Sequence, residues 1–592
     1  MDKEIKEFQL AHTYISKGNF NEAKKIYIKL IEEGSRNHLV FGNLAIIFGL
    51  EEDLNSMYGL LKEAIKINPN YHDGHNNLGF YYTKKKDYKS AISSYKNALN
   101  INPYLTETYY NLGVIYKNEG NINEAKKNYK EAIKINPSYF NAHYNLGLIY
   151  KEKDDFDNAI KSFDIALGIN PNSSETFNNL GIIFLKKDNL DKAILYFQKS
   201  INFKSDNHEA FNNLGIAYER KGNYELAIEA LNRSLKINKN FAEAFFNLGN
   251  AQKASGKINE AIISYSSAFK IKPNYQEAHF NYSLVLFLAN KYKNAWEEFE
   301  WRFVNNFIVP HVVPTTIKWS GEKLNKNEKL TIVSEQGLGD TIQFMRFLPY
   351  FAKIGCQIDF IADKRLHSII KASDINGNPI SPNQFNKLSL NKWLPLMSLG
   401  KILEINPLLK SFDSPYIKTD YEFDLKWKRN LSAVDKPIVG INWQGNNKIE
   451  IGAFKGRSLP LELFSSILKG IDIKLISLQK GFGSEQLQNC SFKDKFVDCQ
   501  DEIEKIWDFL ELSSIMKNCS LIITSDTCVA HLAGALGIKT WLLLKKVPDW
   551  RWGINGQETF WYSSIKIFRQ ENEGNWKEVL LRVSDELRSE KL

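Results

Sequence analysis

The chain has little cysteine and no long hydrophobic stretch. Its five cysteines among 592 residues all lie in the second half, and their spacings match no zinc or CxxC motif. No window approaches about 18 uninterrupted apolar residues, which argues against a membrane span. The charged start of the chain lacks the apolar core of a signal peptide. These absences predict reduced thiols and a cytoplasmic location.

A compact run of lysine or arginine is also missing. The net charge of +9 is modest for this length, so nucleic acid is a poor candidate partner. No cluster of His, Cys, Asp and Glu has the spacing of metal ligands, and we expect neither a metal nor a bound cofactor. A chain this long exceeds one hydrophobic core, so about three or four folding units are expected.

The first half does contain a repeat of 34 residues. The leucine column of this repeat is Leu10, Leu44, Leu78, Leu112, Leu146, Leu180, Leu214 and Leu248, and glycine, alanine and aromatic columns keep the same step. The pattern within each repeat predicts two amphipathic helices, with small residues where the helices cross closely. Period and residue types match the tetratricopeptide pattern, and about nine units fit before residue 303.

One polar column accompanies the repeat. Its members are Asn43, Asn77, Asn111, Asn145, Asn179, Asn213, Asn247 and Asn281. An amide both donates and accepts hydrogen bonds, so such a ladder can hold an extended polypeptide without reading its sequence. We predict that the ladder from Asn111 to Asn281 contacts an acceptor polypeptide. The alternative is that these amides tie neighbouring helices together, and the sequence leaves both interpretations open.

The second half alternates short apolar runs with helical patterns, which predicts parallel sheets with crossover helices. The candidate strands are 330–333, 357–362, 438–442, 473–477, 521–524 and 540–544. A polar run around 420–435 separates two α/β halves. The predicted organisation is therefore a repeat array at 1–303, a linker at 304–328, and α/β halves at 329–425 and 436–592.

Four polar loops follow predicted strands, where ligands of α/β folds bind. The candidate ligand-binding residues in these loops are Gly337, Gly339, Asp340, Gln444, Arg457, Gln479, Lys480, Ser525, Asp526, Thr527 and His531. Two glycines before a helix let the backbone approach a bound group, and a helix N-terminus favours an anion. Asp340 and Asp526 would serve equally well as helix N-caps, and His531 as a packed histidine. The combination of four loops at strand ends favours function.

The segments 335–340, 457–458, 477–481 and 525–537 resemble motifs of GT-B glycosyltransferases of the ADP-heptose:lipopolysaccharide heptosyltransferase-like group, over about 319–592. The array with its asparagine column is similar to that of O-linked N-acetylglucosamine transferases, and the layout resembles bacterial flagellin glycosyltransferases. The resemblance implies an α-solenoid followed by a GT-B fold with two Rossmann-like halves. Residues 329–425 would form the acceptor side and 436–592 the nucleotide-sugar side.

The same resemblance implies roles for individual residues. Asp340 would be the catalytic base, Asp526 and Thr527 would contact the donor, and Arg457 falls near the phosphate-binding lysine of that group. A positioned carboxylate can take the proton of an attacking hydroxyl, and N–H groups with cations can stabilise a leaving diphosphate without a metal. Inversion at the anomeric carbon is expected from the resemblance alone.

The sequence therefore predicts an inverting, metal-independent glycosyltransferase that moves a sugar from a nucleotide sugar to a protein held by the array. Two alternatives stay open. One is a transferase acting on a lipid-linked or surface glycan. The other is a non-catalytic protein-interaction scaffold. The long array favours a protein acceptor over a lipid-linked sugar.

Overall fold

The computed structural model describes residues 2–306, 310–325, 328–387, 391–409, 415–446, 450 and 456–590. The chain forms two compact units, Met1–Ala217 and Tyr218–Leu592. The first unit consists of helical repeats, and the second holds the last repeats together with two β-sheets. Within the described ranges, no helix has the length and apolar character that crossing a bilayer requires.

The repeats are an α-solenoid of successive helices, as the 34-residue period predicts. The helices are α1 (Asp2–Ser16), α2 (Phe20–Glu32), α3 (His38–Leu50), α4 (Leu54–Ile67), α5 (His72–Lys84), α6 (Tyr88–Ile101), α7 (Thr106–Asn118), α8 (Ile122–Ile135), α9 (Phe140–Glu152), α10 (Phe156–Ile169), α11 (Ser174–Lys186), α12 (Leu190–Phe203), α13 (His208–Arg220), α14 (Tyr224–Ile237), α15 (Ala242–Ala254), α16 (Ile258–Ile271), α17 (Gln276–Leu288) and α18 (Tyr292–Phe299).

Side-chain caps start the second helix of most repeats. In each case an Asp or Asn oxygen accepts a backbone N–H of the first turn, which satisfies a donor that the helix itself leaves free. These caps are Asn19, Asp53, Asp87, Asn121, Asp155 and Asn189, spaced by one repeat. Local sequence therefore fixes where each of these helices begins.

The glycine column gives the two helices of a repeat their close approach. A Cβ atom on Gly79 would lie 2.7 Å from the ring of Tyr95, and one on Gly147 would lie 2.6 Å from the ring of Phe163. Gly113, Gly181 and Gly249 face Tyr129, Phe197 and Tyr265 in the same way. Real Cβ atoms do not approach other atoms so closely, so the aromatic ring occupies a socket that only glycine leaves open.

The first sheet follows the repeats and contains four parallel strands in the order β3-β2-β1-β4. Its elements are β1 (Lys329–Val333), α19 (Leu338–Phe344), α20 (Pro349–Lys353), β2 (Gln357–Ile361), α21 (His367–Ala372), β3 (Asn378–Ile380), β4 (Lys392–Pro395) and α22 (Leu399–Ile402). Val333 at the end of β1 lies opposite Ile361 on one side and Pro395 on the other.

The second sheet contains five parallel strands in the order β6-β5-β7-β8-β9. Its elements are α23 (Tyr421–Asn430), β5 (Ile438–Asn442), α24 (Ser465–Leu468), β6 (Lys474–Ser477), α25 (Gln500–Glu504), α26 (Phe509–Lys517), β7 (Leu521–Ser525), α27 (Cys528–Ala535), β8 (Thr540–Leu544), β9 (Ile565–Arg569) and α28 (Trp576–Ser589). Two hydrophobic clusters cover its two faces, because alternate residues of each strand point to opposite sides.

All six strands predicted from the sequence are present, and three more were not predicted. The additional strands are β3, β4 and β9. β3 is only three residues long and contains a proline, and β9 alternates apolar with basic residues. The α/β region is therefore built from two parallel sheets, as the alternation of strands and helices predicts.

Candidate functional site

The glycine turn connects β1 to α19 and brings the loops of the two sheets together. The backbone N–H of Gly337 donates to Asp340 Oδ2 at 2.8 Å, so Asp340 does stabilise the start of its own helix. A Cβ atom on Gly339 would lie 2.7 Å from His531 Cδ2 and 3.4 Å from Cys528 Cα. Gly339 is therefore required for the contact between the turn and the start of α27.

Asp340 pairs with an arginine from the second sheet. Arg551 Nη2 donates to Asp340 Oδ1 at 2.5 Å, and its Nη1 donates to Asp549 Oδ1 at 2.7 Å. Its Nε donates to Gln343 Oε1 at 2.9 Å. Burial raises the pKa of Asp340, and the charge of Arg551 opposes that shift. The carboxylate predicted as base is thus held by one arginine that also holds Asp549.

Asp526 lies in the same charged cluster. Its Oδ1 accepts the indole N–H of Trp552 at 2.8 Å. The pKa of Asp526 is raised to about 6, chiefly by burial and also by the charge of Asp549, while the Trp552 hydrogen bond, Arg457 and Arg551 oppose the shift. An acid with this pKa changes charge just below neutrality, which is common where ligands bind.

Thr527 and Gln479 are both tied to Asn442 at the end of β5. The hydroxyl of Thr527 donates to Asn442 Oδ1 at 2.8 Å, and Asn442 Nδ2 donates to Gln479 Oε1 at 2.9 Å. The same oxygen of Gln479 accepts the backbone N–H groups of Trp443 and Gln444 at 3.2 and 3.0 Å. Gln479 is 2% exposed, so it holds the loop after β5 in shape.

His531 is buried on α27 and is packed on both sides. Its Nδ1 lies 3.0 Å from the hydroxyl of Tyr562, and its ring stacks on Trp552 at a centroid distance of 5.0 Å. Burial, with Arg551 and Arg346 nearby, holds the pKa of His531 well below its usual range. The imidazole is therefore neutral at physiological pH.

The other predicted residues divide between the cluster and its surroundings. Arg457 Nε lies 3.4 Å from Glu450 Oε1, and Arg457 also contributes to the electrostatics of Asp526. Lys480 Nζ donates instead to the carbonyl oxygen of Ile503, and burial lowers its pKa to about 8. Arg457 thus acts on the cluster through its charge, whereas the contact of Lys480 is with Ile503.

The cluster lies where both sheets reverse their strand order. In the first sheet this point is between β1 and β4, and in the second it is between β5 and β7. Ligands of open parallel sheets bind beyond the carboxyl ends of the strands at this switch point. Ser525, the last residue of β7, has a buried hydroxyl that lacks a hydrogen-bond partner within the described residues.

Glu335 in the glycine turn is fully buried and binds an arginine that follows the last repeat. Arg302 Nε donates to Glu335 Oε2 at 2.8 Å, and Arg302 Nη2 donates to Glu335 Oε1 at 3.0 Å. Glu335 also accepts the backbone N–H of Met397 at 2.9 Å, and Arg302 bonds Ser398 and Glu300. This two-pronged pair fixes the end of the repeats to the turn that carries Asp340.

Sequence reasoning missed several charged and aromatic members of the cluster. They are Arg551, Asp549 and Trp552, which follow β8 in a short segment, and Arg302. The signal available for the first three was the run 549–552, which contains two tryptophans and follows a predicted strand. Only the fold shows that this run reaches the glycine turn, because Arg551 and Asp340 are far apart in sequence.

The asparagine ladder makes hydrogen bonds inside the array. Five amide nitrogens of the ladder donate to a residue of the preceding repeat within the described part of the chain: Asn43 to Tyr27, Asn145 to Tyr110, Asn179 to Tyr144, Asn213 to Asn178 and Asn281 to Asn250. The ladder therefore joins neighbouring helices, while its role in holding a polypeptide stays a prediction.

Models of the tetratricopeptide repeat match the chain at 8–33, 81–120, 115–154, 140–173, 174–207, 208–241 and 242–275. The first half of the chain is a tetratricopeptide repeat array. Protein FlbA of Caulobacter vibrioides (strain ATCC 19089 / CIP 103742 / CB 15) is 21% identical over 345 residues, which are 52% of this chain and 54% of FlbA. The chain thus spans about half the length of this curated relative.

Solved repeat proteins resemble the array. MamA is 25% identical, with a TM-score of 0.27, over 28% of this chain and 92% of MamA. YrrB, described as a TPR protein with an unusual peptide-binding site, is 21% identical, with a TM-score of 0.28, over 32% of this chain and 96% of YrrB. These matches do not extend to a function for the α/β region.

Proposed function

We propose that the α/β region is a GT-B glycosyltransferase that moves a sugar from a nucleotide sugar to a protein held by the array. Two contacts carry the proposal. Asp340 forms an ion pair with Arg551, and Gly339 packs against the start of α27. A carboxylate from one sheet thereby lies beside the helix N-terminus of the other, at the switch points where ligands bind.

In the proposed reaction, an acceptor hydroxyl oxygen attacks the anomeric carbon of the donor sugar. The bond between that carbon and the diphosphate oxygen breaks, and the diphosphate leaves with the electron pair. Asp340 takes the hydroxyl proton, and its burial favours that because burial raises its pKa. The positive end of the α27 dipole, together with Arg457, stabilises the charge on the leaving diphosphate. The configuration at the carbon is inverted.

The array supplies the acceptor in this proposal. Repeats of this kind present long surfaces that suit an extended polypeptide. In the ladder, Asn145 uses its amide nitrogen within the array, whereas its amide oxygen can accept an N–H from a bound backbone. We therefore expect backbone recognition with little dependence on acceptor sequence.

The first test is a screen of nucleotide sugars for thermal stabilisation of the purified chain. A ligand that binds only the native form raises the melting temperature, by an amount that grows with its concentration. Stabilisation by one nucleotide class, followed by release of its diphosphate with water or a polypeptide as acceptor, supports a transferase. A chain that no nucleotide sugar stabilises favours the scaffold.

The variant Asp340→Asn tests the base directly. Asparagine keeps the size and one oxygen for the Gly337 N–H, loses the ion pair with Arg551 and cannot take a proton, so transfer should fall by about 100-fold or more while donor affinity changes little. The matched control is Asp435→Asn, an exposed aspartate outside the cluster. Full transfer by Asp340→Asn would remove this residue from the base role.

A second candidate function is a non-catalytic interaction scaffold. The observation that favours it is the engagement of both carboxylate oxygens of Asp340, one by Arg551 and one by Gly337. In a scaffold this pair would only hold the two sheets together. The donor screen separates the two candidates, since a scaffold has no need to bind a nucleotide sugar.

A further inference from the structure

Arg569, the last residue of β9, is a partly buried cation that forms no ion pair with the described residues. Its one side-chain hydrogen bond to them runs from Nη2 to the carbonyl oxygen of Trp552 at 3.3 Å. Its Nη1 is shielded from solvent and lacks an acceptor in the described part of the chain. Charged groups inside proteins are normally paired, because an unpaired buried charge costs free energy. Arg569 is therefore a candidate for binding an anion.

The charge of Arg569 persists at neutral pH. Burial lowers its pKa to about 10, and no described carboxylate opposes this shift. Arg551, by contrast, binds both Asp340 and Asp549. A guanidinium that stays charged and lacks such a partner favours an oxyanion, which can accept two of its N–H groups at once.

Trp552 joins Arg569 to the candidate donor site. Its carbonyl oxygen accepts from Arg569, and its indole N–H donates to Asp526 Oδ1 at 2.8 Å. Its ring stacks on His531 of α27 at a centroid distance of 5.0 Å. Arg569 and the first turn of α27 therefore both lie beside Trp552, and both favour negative charge.

Other buried donors at the carboxyl ends of these strands also lack an acceptor among the described residues. They are the hydroxyl of Ser525 at the end of β7, the indole N–H of Trp443 after β5 and the amide of Gln570 after β9. Such groups are uncommon in folded proteins, so several of them at one edge of a sheet indicate a ligand. There is also room beside the Trp552 carbonyl, since a Cβ atom on Gly553 would meet nothing closer than 4.0 Å apart from its chain neighbours.

We propose that Arg569 binds the diphosphate of the nucleotide sugar at the carboxyl end of β9. This inference rests on the proposed function, in which the diphosphate lies at the start of α27 and hence beside Trp552. The fork of the guanidinium matches two phosphate oxygens. Arg569 is thus a binding residue whose anion arrives with the donor, whereas Arg551 is engaged by the carboxylates of the site.

Titration calorimetry of the full chain with UDP, GDP and ADP tests this inference. Arg569→Met removes the charge and keeps an apolar stem, so it should weaken the diphosphate that binds by about tenfold or more. Arg569→Lys should recover part of the affinity, because a point charge remains while the fork is lost. The matched control is Arg588→Met, which alters an exposed arginine of α28 and should bind as the unaltered chain does.

The melting temperature without ligand gives a second measurement. Arg569→Met removes a buried charge that has no counter-ion, so the variant should melt at the same temperature as the unaltered chain or above it. Added diphosphate should then raise the melting temperature of the unaltered chain more than that of the variant. A lower melting temperature of Arg569→Met with an unchanged diphosphate affinity would make Arg569 a structural residue and overturn the inference.

The outcomes separate this inference from the proposed function. A folded, unaltered chain that binds none of the three diphosphates overturns both. Binding by the unaltered chain that Arg569→Met leaves unchanged overturns only the assignment of Arg569. If Arg569→Met weakens UDP-glucuronic acid but neither UDP nor UDP-glucose, the oxyanion is a sugar carboxylate, and that also overturns the assignment to the diphosphate.

Discussion

At the scale of single residues, the three aspartates of the candidate site have different partners. Arg551 holds both Asp340 and Asp549, and Asp526 has a neutral partner in the indole N–H of Trp552. Such an arrangement makes stability and binding depend on pH in a direction that each pKa determines.

Asp526 gives the clearest pH prediction. Its pKa is raised to about 6 in the folded chain, so the folded state holds its proton more tightly than the unfolded state between about pH 4 and pH 6. The contribution of Asp526 to the free energy of unfolding is therefore lost as pH rises through this window.

The variant Asp526→Asn removes that titration and keeps an oxygen for Trp552. We expect it to stabilise the chain by about 1–2 kcal/mol at pH 8 and to have little effect at pH 4. Thermal unfolding at both pH values measures this, with Asp435→Asn as the exposed control. Equal effects of Asp526→Asn at pH 4 and pH 8 would contradict the raised pKa.

At the scale of elements, the repeats depend on a glycine in one helix that receives an aromatic ring from the next. Gly147 and Phe163 are one such pair. Glycine lowers the intrinsic stability of a helix by about 1 kcal/mol relative to alanine. The space that glycine leaves for the aromatic ring compensates for this loss.

Two glycine-to-alanine changes in neighbouring helices test the socket. Gly147→Ala should destabilise the array by about 1–3 kcal/mol, because its methyl group overlaps the ring of Phe163. Gly168→Ala in α10 should instead stabilise it by about 0.5–1 kcal/mol, since nothing lies within 4 Å of a Cβ there. Circular dichroism on heating compares the two, and the same sign for both would contradict the socket.

At the scale of the whole molecule, the sequence predicts the helices and strands, and it does not predict contacts between residues that are far apart along the chain. The 34-residue period predicts the repeat helices because each repeat contacts mainly its neighbours. The interiors of the strands were also recognisable, whereas β3, β4 and β9 are short or have mixed polarity. Asp340 and Asp526 were identified by their positions at strand ends. Arg551 was missed because its partners come from another sheet.

Variants of the Arg302–Glu335 pair test how the end of the repeats is joined to the first sheet. Both side chains are fully buried, so Glu335→Gln removes one of the two carboxylates that Arg302 binds, leaves Glu300 as the other, and should cost about 1–3 kcal/mol. The double variant Arg302→Met with Glu335→Leu should be less destabilised than Glu335→Gln alone.

Thermal unfolding of these variants is the measurement, and Lys436→Met is the control. Lys436 makes an exposed ion pair with Asp472, and we expect no resolvable change from its loss. A double variant that is less stable than Glu335→Gln would show that the pair contributes more than charge compensation.

The match between each socket glycine and its ring has a consequence for how the protein can change in length. Every pair lies within a single 34-residue period, as Gly79 with Tyr95 and Gly249 with Tyr265 show. Removing or duplicating one full period from the middle of the array leaves the remaining pairs intact. The distance that the solenoid spans can therefore be adjusted in evolution or by design, in steps of one period, with no alteration to the sheets that follow it.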